Sequence, residues 1–287
     1  MATPTTVEEN ILAVFDTLSP KQRQLARFFI DNEDMVAFAS AHDIGVRVGT
    51  SAATVVRFCR TLGYEGYTDL QATIRSKYPQ YRTVLQKMED RLANGDLAEN
   101  LPIRIAQANT QNIQETMNQV SEETLSAAVA AIIQARQIYI FGSGLSTSAA
   151  VLAEHALTVL GFSARAYLDG GLNQALEISR LTEHDLVIVI TIWRYLRATV
   201  EAAKAARTIG ATCIALTDSP ISPVVAIADH LFIAATEGAA HSRSLTGILS
   251  LIDLFSAAIA AERPQESTEA LRRVDKLYRQ NGMLLED

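Results

Sequence analysis

Cations free of acids are the first chemical signal in this chain: between Asp43 and Glu65 stand Arg47, Arg57 and Arg60, with no carboxylate. Such a window can face a polyanion even though 25 Lys and Arg against 32 Asp and Glu give a formal charge of -7, because charge acts by patch and not by total. Residues 1–92 hold 11 basic and 11 acidic side chains, leaving 14 and 21 for residues 93–287, so the acidity sits in the second part. Thr50, Ser51, Ala53 and Thr54 precede Arg57 and Arg60. Small and hydroxylated residues followed by arginine suit a helix that enters a DNA major groove, where arginine bonds guanine bidentately. The bland alternative is a helical bundle whose arginines are solvated.

A second group of polar residues follows apolar bursts in the later part. Gly142-Ser143-Gly144-Leu145-Ser146-Thr147 combines glycines for a tight turn with hydroxyls and helix-terminal N–H groups that hold an anion. As a dinucleotide fingerprint this turn is incomplete, since Thr147 stands where the third glycine belongs, although Asp169 is placed as a ribose binder would be. No cofactor is expected. Thr191 and Arg194 end one burst, Thr217, Asp218, Ser219 and Ser222 another, and the Arg194 guanidinium can grip phosphate or carboxylate by a fork. Trp193 suits the pocket or the core equally. Glu237 and His241 could shuttle protons beside a sugar; read plainly, they are a polar loop, and no catalytic residue is assigned. His42, His155, His184 and His230 show no paired metal-ligand spacing, so no metal site is expected.

The elements that must position these groups can be read from periodicity. Residues 1–81 read as short helices, with Leu25, Phe28 and Phe29 at helical spacing in one of them. Ser40 is an N-cap for a helix that turns Ile44 and Val48 inward and ends at Gly49, a residue free to take positive φ. Thr50 or Ser51 starts the next helix, in which Val55, Phe58, Cys59 and Leu62 form the core stripe while Ala53, Arg57 and Arg60 project outward. Residues 82–134 read as a helical connector with Ile113, Met117 and Val120 on one stripe and Ser121 opening a new helix. From 135 to 265, short apolar bursts at 138–141, 163–167, 186–192, 212–216 and 231–233 alternate with helix-length segments. This pattern predicts an α/β three-layer sandwich with a five-stranded parallel sheet. Residues 266–287 read as a terminal helix. In such a sheet the Gly142 turn and the loops after Thr191 and Thr217 converge on one crevice at the carboxyl ends of the strands.

Ser51-Ala-Ala-Thr54-Val-Val-Arg57-Phe-Cys-Arg60-Thr-Leu-Gly63-Tyr-Glu-Gly66-Tyr67 resembles the recognition-helix signature of RpiR-type (MurR/RpiR) regulators, and a sugar isomerase (SIS) domain pattern follows it. The resemblance covers nearly the whole chain. It implies a phosphosugar site built from the first-strand turn and a Ser/Thr-rich loop after the third strand. Here that second loop departs from Ser-x-Ser-Gly-x-Thr: Thr191 replaces the first serine, and Trp193 and Arg194 replace Ser-Gly.

The reading is a DNA-binding transcriptional regulator, not an enzyme, whose SIS-like domain senses an anionic metabolite, with sugar phosphate the favoured class. The alternative is a phosphosugar isomerase or epimerase with a helical appendage. Its expected partners are double-stranded operator DNA, the metabolite, and a second copy in a homodimer or homotetramer. The N-terminus fits no secretory or transit signal, the apolar run at 245–261 is broken by Ser250, Asp253 and Ser256, and Cys59 and Cys213 suit buried thiols. A cytoplasmic protein without a membrane segment is expected.

Overall fold

The computed structural model describes residues 6–76, 88–89, 100–239 and 242–283; the expected boundary at residue 81 and His241 lie outside them. The chain divides into two compact units, Met1–Asp90 and Arg91–Asp287. Among its described residues the first is helical and without strands, with α1 (Val7–Val14), α2 (Pro20–Asp31), α3 (Glu33–Phe38), α4 (Ala41–Val48), α5 (Ala52–Thr61) and α6 (Tyr67–Ser76). Helix starts are set locally. Thr6, Ser19 and Ser40 each close a capping box with the residue three positions on, Glu9, Gln22 and Asp43.

The α4–α5 turn is made by Gly49 at φ 68°, where a side chain would be strained, and Ser51 then caps α5 by accepting the Thr54 N–H. Ile44, Val48, Val55, Phe58, Cys59 and Leu62 are all buried, with Phe58 set edge-on against Phe29 at 5.3 Å between ring centroids. Burial pushes the Cys59 thiol up to about 12, so it behaves as a small apolar side chain.

The second unit contains α7 (Leu101–Asn118) and α8 (Glu122–Gln134), then β1 (Ile138–Phe141), α9 (Thr147–Val159), β2 (Ala164–Tyr167), α10 (Leu172–Ile178) and β3 (Leu186–Thr191). It continues with α11 (Arg197–Ile209), β4 (Thr212–Thr217), β5 (His230–Ile233), α12 (Thr246–Glu262) and α13 (Pro264–Gln280). The five strands are all parallel in the order β2-β1-β3-β4-β5. Alternation within strands builds two apolar layers. Ile188, Ile190, Ile214 and Leu216 face one layer with residues of α8, α9 and α12, and Val187, Val189, Cys213 and Ala215 face the other with Ala202, Ala203 and Ala206 of α11.

The connector helices are part of this unit: Ala128, Val129 and Ile132 of α8 are buried in its core. The stripe expected on α7 is only partly inward. Met117 and Val120 pack against the core, but Ile113 is 38% exposed, whereas polar Asn112 and Thr116 are buried. The reason is hydrogen bonding. Asn112 clamps both the N–H and the carbonyl of Glu237, at 3.0 and 2.7 Å, and the Thr116 hydroxyl accepts the Ala235 N–H at 3.0 Å. These buried polar side chains satisfy the backbone of the segment after β5, which no strand ladder serves.

Candidate functional site

On α5 the side opposite the core presents Ser51, Ala53, Arg57 and Arg60, all exposed, beside half-buried Thr54. The Ser51 and Thr54 hydroxyls lie 2.9 Å apart, and Arg57 donates through Nη2 to Thr54 Oγ1 at 3.1 Å, which draws its guanidinium toward the start of the helix. Arg60 is held by its Nε, which donates to the Glu65 carbonyl at 3.2 Å. Thr50 differs from the rest of the expected set, because its hydroxyl oxygen is buried without a hydrogen-bond partner while its N–H donates to the Gly45 carbonyl at 2.7 Å. Thr50 therefore shapes the turn through its backbone. The arrangement is a small, hydroxylated, basic helix face beginning at a tight turn.

In the sheet unit the strand order reverses between β1 and β3, the kind of position at whose carboxyl edge ligands of open parallel sheets bind. The loops at that edge are joined one to the next. After β1, Gly142 lies where a Cβ would come within 2.9 Å of Ala150 and of the Ser146 carbonyl, so glycine lets α9 close onto the strand. A single 3-10 turn, Gly144–Ser146, precedes α9; Ser146 is buried and Ser143 half-buried. A Cβ on Gly144 would sit 3.2 Å from Leu196, so the β1 and β3 loops meet there. Gln174 of α10 donates to the Ala198 carbonyl at 2.6 Å and ties the β2 side to the start of α11.

Thr191 and Thr217 are register partners at the ends of β3 and β4, both buried. Thr217 Oγ1 and Ser222 Oγ are buried with no hydrogen-bond partner, whereas Ser219 Oγ accepts the Ile221 N–H. Asp218 is the hub of the edge. Its carboxylate accepts the Trp193 N–H at 3.2 Å and the Tyr195 hydroxyl at 3.0 Å, and pairs with Arg243 Nη1 at 3.3 Å. Burial pushes the Asp218 carboxyl above its ordinary value against the opposing pull of Arg243, the Trp193 N–H and the Tyr195 hydroxyl.

Arg194, the cation expected from sequence, is exposed in the β3 loop, and Asp169 is exposed after β2. Glu237 is exposed on the segment whose backbone Asn112 clamps. Sequence reasoning missed Arg243. Its guanidinium is nearly enclosed, with Nη1 also donating to Thr236 Oγ1 at 2.9 Å. One signal was available: between Glu237 and Asp253 Arg243 is the sole Lys or Arg and there is no acid. Ser244, beside it, donates to Asn109 Oδ1 at 2.8 Å, so Asn109, Asn112 and Thr116 of α7 all hold the segment that carries Arg243. Among the described residues no cluster of His, Cys, Asp and Glu is arranged to hold a metal ion, and no helix is long and apolar enough to cross a membrane.

Two family models match the chain in order: the rpiR-family helix-turn-helix domain over residues 5–80 and the SIS domain over residues 131–261. The sugar isomerase domain of an RpiR transcription factor from Sphaerobacter thermophilus is 37% identical, with a TM-score of 0.61 over 62% of this chain and 99% of that one. An HTH-type transcriptional regulator of Haemophilus influenzae is 28% identical over 239 residues, 81% of each chain. NanR of Vibrio vulnificus, solved in complex with ManNAc-6P, shares the fold at 22% identity and a TM-score of 0.66, over 98% of this chain and 100% of that one. With both models in this order and a close structural relative over its sheet unit, the chain belongs to the RpiR family of HTH-type transcriptional regulators, a helix-turn-helix domain followed by a SIS domain.

Proposed function

We propose that this regulator reads operator DNA with α5, and that the carboxyl-edge crevice of its SIS domain binds a small anionic metabolite, a sugar phosphate above other classes, whose occupancy changes operator binding. Ser51, Ala53, Thr54, Arg57 and Arg60 are the proposed DNA contacts, with Thr50 acting through the turn. Gly142, Ser143, Gly144, Ser146, Thr191, Arg194, Thr217, Asp218, Ser219, Ser222 and Glu237 line or frame the proposed crevice. The observation that carries the ligand reading is the pair of buried hydroxyls without hydrogen-bond partners in the protein, Thr217 and Ser222, at the carboxyl edge of the sheet. Buried hydroxyls without partners are costly, and an acceptor-rich ligand relieves that cost. The complex of the fold relative NanR with ManNAc-6P is in keeping with this class. Attachment to a DNA-reading module favours sensing over turnover, because a sensor needs only different affinities for two states. We further propose a cytoplasmic homodimer, since a two-fold protein matches two operator half-sites. The α7 side chains that hold the segment after β5 give ligand state a direct route into the connector.

A thermal-shift screen of sugar phosphates and organic acids on the full chain tests the ligand reading, because a ligand of the native state raises the melting temperature by mass action. No stabilising sugar phosphate or organic acid would overturn it. For the DNA reading, Arg57→Ala keeps the fold and weakens binding to the operator by about 1–3 kcal/mol. Gel shifts at two salt concentrations with helicity controls measure this, and unchanged affinity removes Arg57 from the interface.

A further inference from the structure

Arg243 presents a donor imbalance. Its side chain is 7% exposed, Nη1 is shared between Asp218 and Thr236, and Nη2 is buried with no hydrogen-bond partner. A guanidinium offers five N–H donors in a rigid fork and accepts none, so a buried, acceptor-less arm is a position prepared for an oxyanion. Asp218 is the opposite case. Both of its oxygens are engaged without Arg243, one by the Tyr195 hydroxyl and the other by the Trp193 N–H. The carboxylate therefore keeps hydrogen-bond partners if Arg243 turns elsewhere, while Arg243 has an arm to gain. The two contacts that Asp218 would keep come from the loop after β3, the same loop that carries Arg194.

We propose that Arg243 is an oxyanion-binding residue of the crevice and that Asp218 is its resting counterion, displaced when a phosphate or carboxylate group arrives. This rests on the crevice proposed above and deepens it by assigning a second cation, carried by the segment between β5 and α12, that pairs with the same Asp218 to which the neighbours of Arg194 bond. Arg243 then takes either the ligand's phosphate or a separate carboxylate; the chemistry is shared, and the two are separable by probe.

The probes are inorganic phosphate and acetate, titrated calorimetrically into the full chain at constant ionic strength. Asp218→Asn removes the competing charge and retains an acceptor for Tyr195, so it binds at least one of the two anions about tenfold more tightly than wild type. The double variant Asp218→Asn/Arg243→Gln loses that gain. Which anion responds tells which acidic group Arg243 receives. A structural ion pair behaves differently, as neither change raises anion affinity. Should Asn disturb folding, seen as lost helicity, Asp218→Ser is read in the same way. The proposal fails if the Asp218 variant binds neither anion more tightly than wild type, or if the double variant keeps the gain. That failure is separate from failure of the ligand reading, which depends on sugar phosphates and organic acids with the wild-type chain.

Discussion

Two buried aspartates paired with arginine sit at opposite edges of the same sheet, and their surroundings differ. At the amino edge, Asp185 accepts a fork from Arg136, Nε to Oδ1 at 2.9 Å and Nη2 to Oδ2 at 2.7 Å, together with the N–H and hydroxyl of Thr182. The Arg136 side chain is 54% exposed, so its remaining donors reach water. At the carboxyl edge, Asp218 and Arg243 are both nearly enclosed, at 1% and 7%, and one guanidinium nitrogen has no acceptor. The first pair closes a strand end with every group satisfied. The second leaves a buried donor unsatisfied where a ligand is proposed to act, which is the usual cost of a site prepared for something else.

The largest expected effect is on stability. Asp218→Ala leaves an enclosed Arg243 charge without its counterion, and lowers unfolding free energy by about 3–5 kcal/mol. Asp185→Ala releases Arg136 to water and orphans chiefly the Thr182 N–H, lowering it by about 1–3 kcal/mol. Urea titrations of both variants measure the gap. Phosphate at constant ionic strength restores part of the loss in Asp218→Ala and none in Asp185→Ala. Equal losses, equally insensitive to phosphate, would make the two edges equivalent.

The next effect separates residues within the carboxyl edge. Arg194→Ala weakens binding of a screened anionic ligand by about 1.5–3 kcal/mol, and Ser143→Ala by roughly 1, because hydrogen bonds to charged groups are the stronger. Arg194→Lys recovers only part, since an ammonium keeps the charge and cannot form the fork. Calorimetry on the three variants decides it. Wild-type affinity in Arg194→Ala would make that exposed arginine a surface residue and leave Arg243 as the crevice's cation.

What was readable in advance followed from local rules. The two helices around Gly49 and their core stripe from Val55 to Leu62 follow from capping residues and a 3.6-residue period. The five strands follow from apolar bursts bounded by helix-length segments. The carboxyl edge at which the crevice is proposed was legible as a place, because strand ends in a parallel sheet share an edge. Its wiring was not. Arg243 meets Asp218 across 25 positions of sequence, a pairing set by the β4–β5 neighbourhood and by no local pattern. The inward face of α7 was misread for a related reason. Burial there follows the hydrogen bonds that Asn112 and Thr116 make to the backbone of Glu237 and Ala235, so those two polar residues go in and Ile113 stays out, against the apolar stripe.

The smallest effect is in pH dependence, and it has opposite sign at the two edges. Burial alone would raise the Asp185 carboxyl, but the Arg136 fork and the two Thr182 bonds outweigh it and hold the group below its ordinary 3.8. A folded pKa below the unfolded one gives stability that is complete above the ordinary value and is lost as pH falls through the folded value. Asp218 is displaced the other way, above 3.8, by burial that its partners only partly offset. Its contribution is complete below the ordinary value and is lost as pH rises through the folded value. The stability of wild type minus that of Asp185→Asn therefore shrinks on acidification, while wild type minus Asp218→Asn grows. Each slope is bounded by about 1.4 kcal/mol per pH unit for one proton. Urea unfolding of the three chains from about pH 3 to 6 reads both differences. If the two move in the same direction, Asp218 is a second structural staple and the contrast between the edges does not hold.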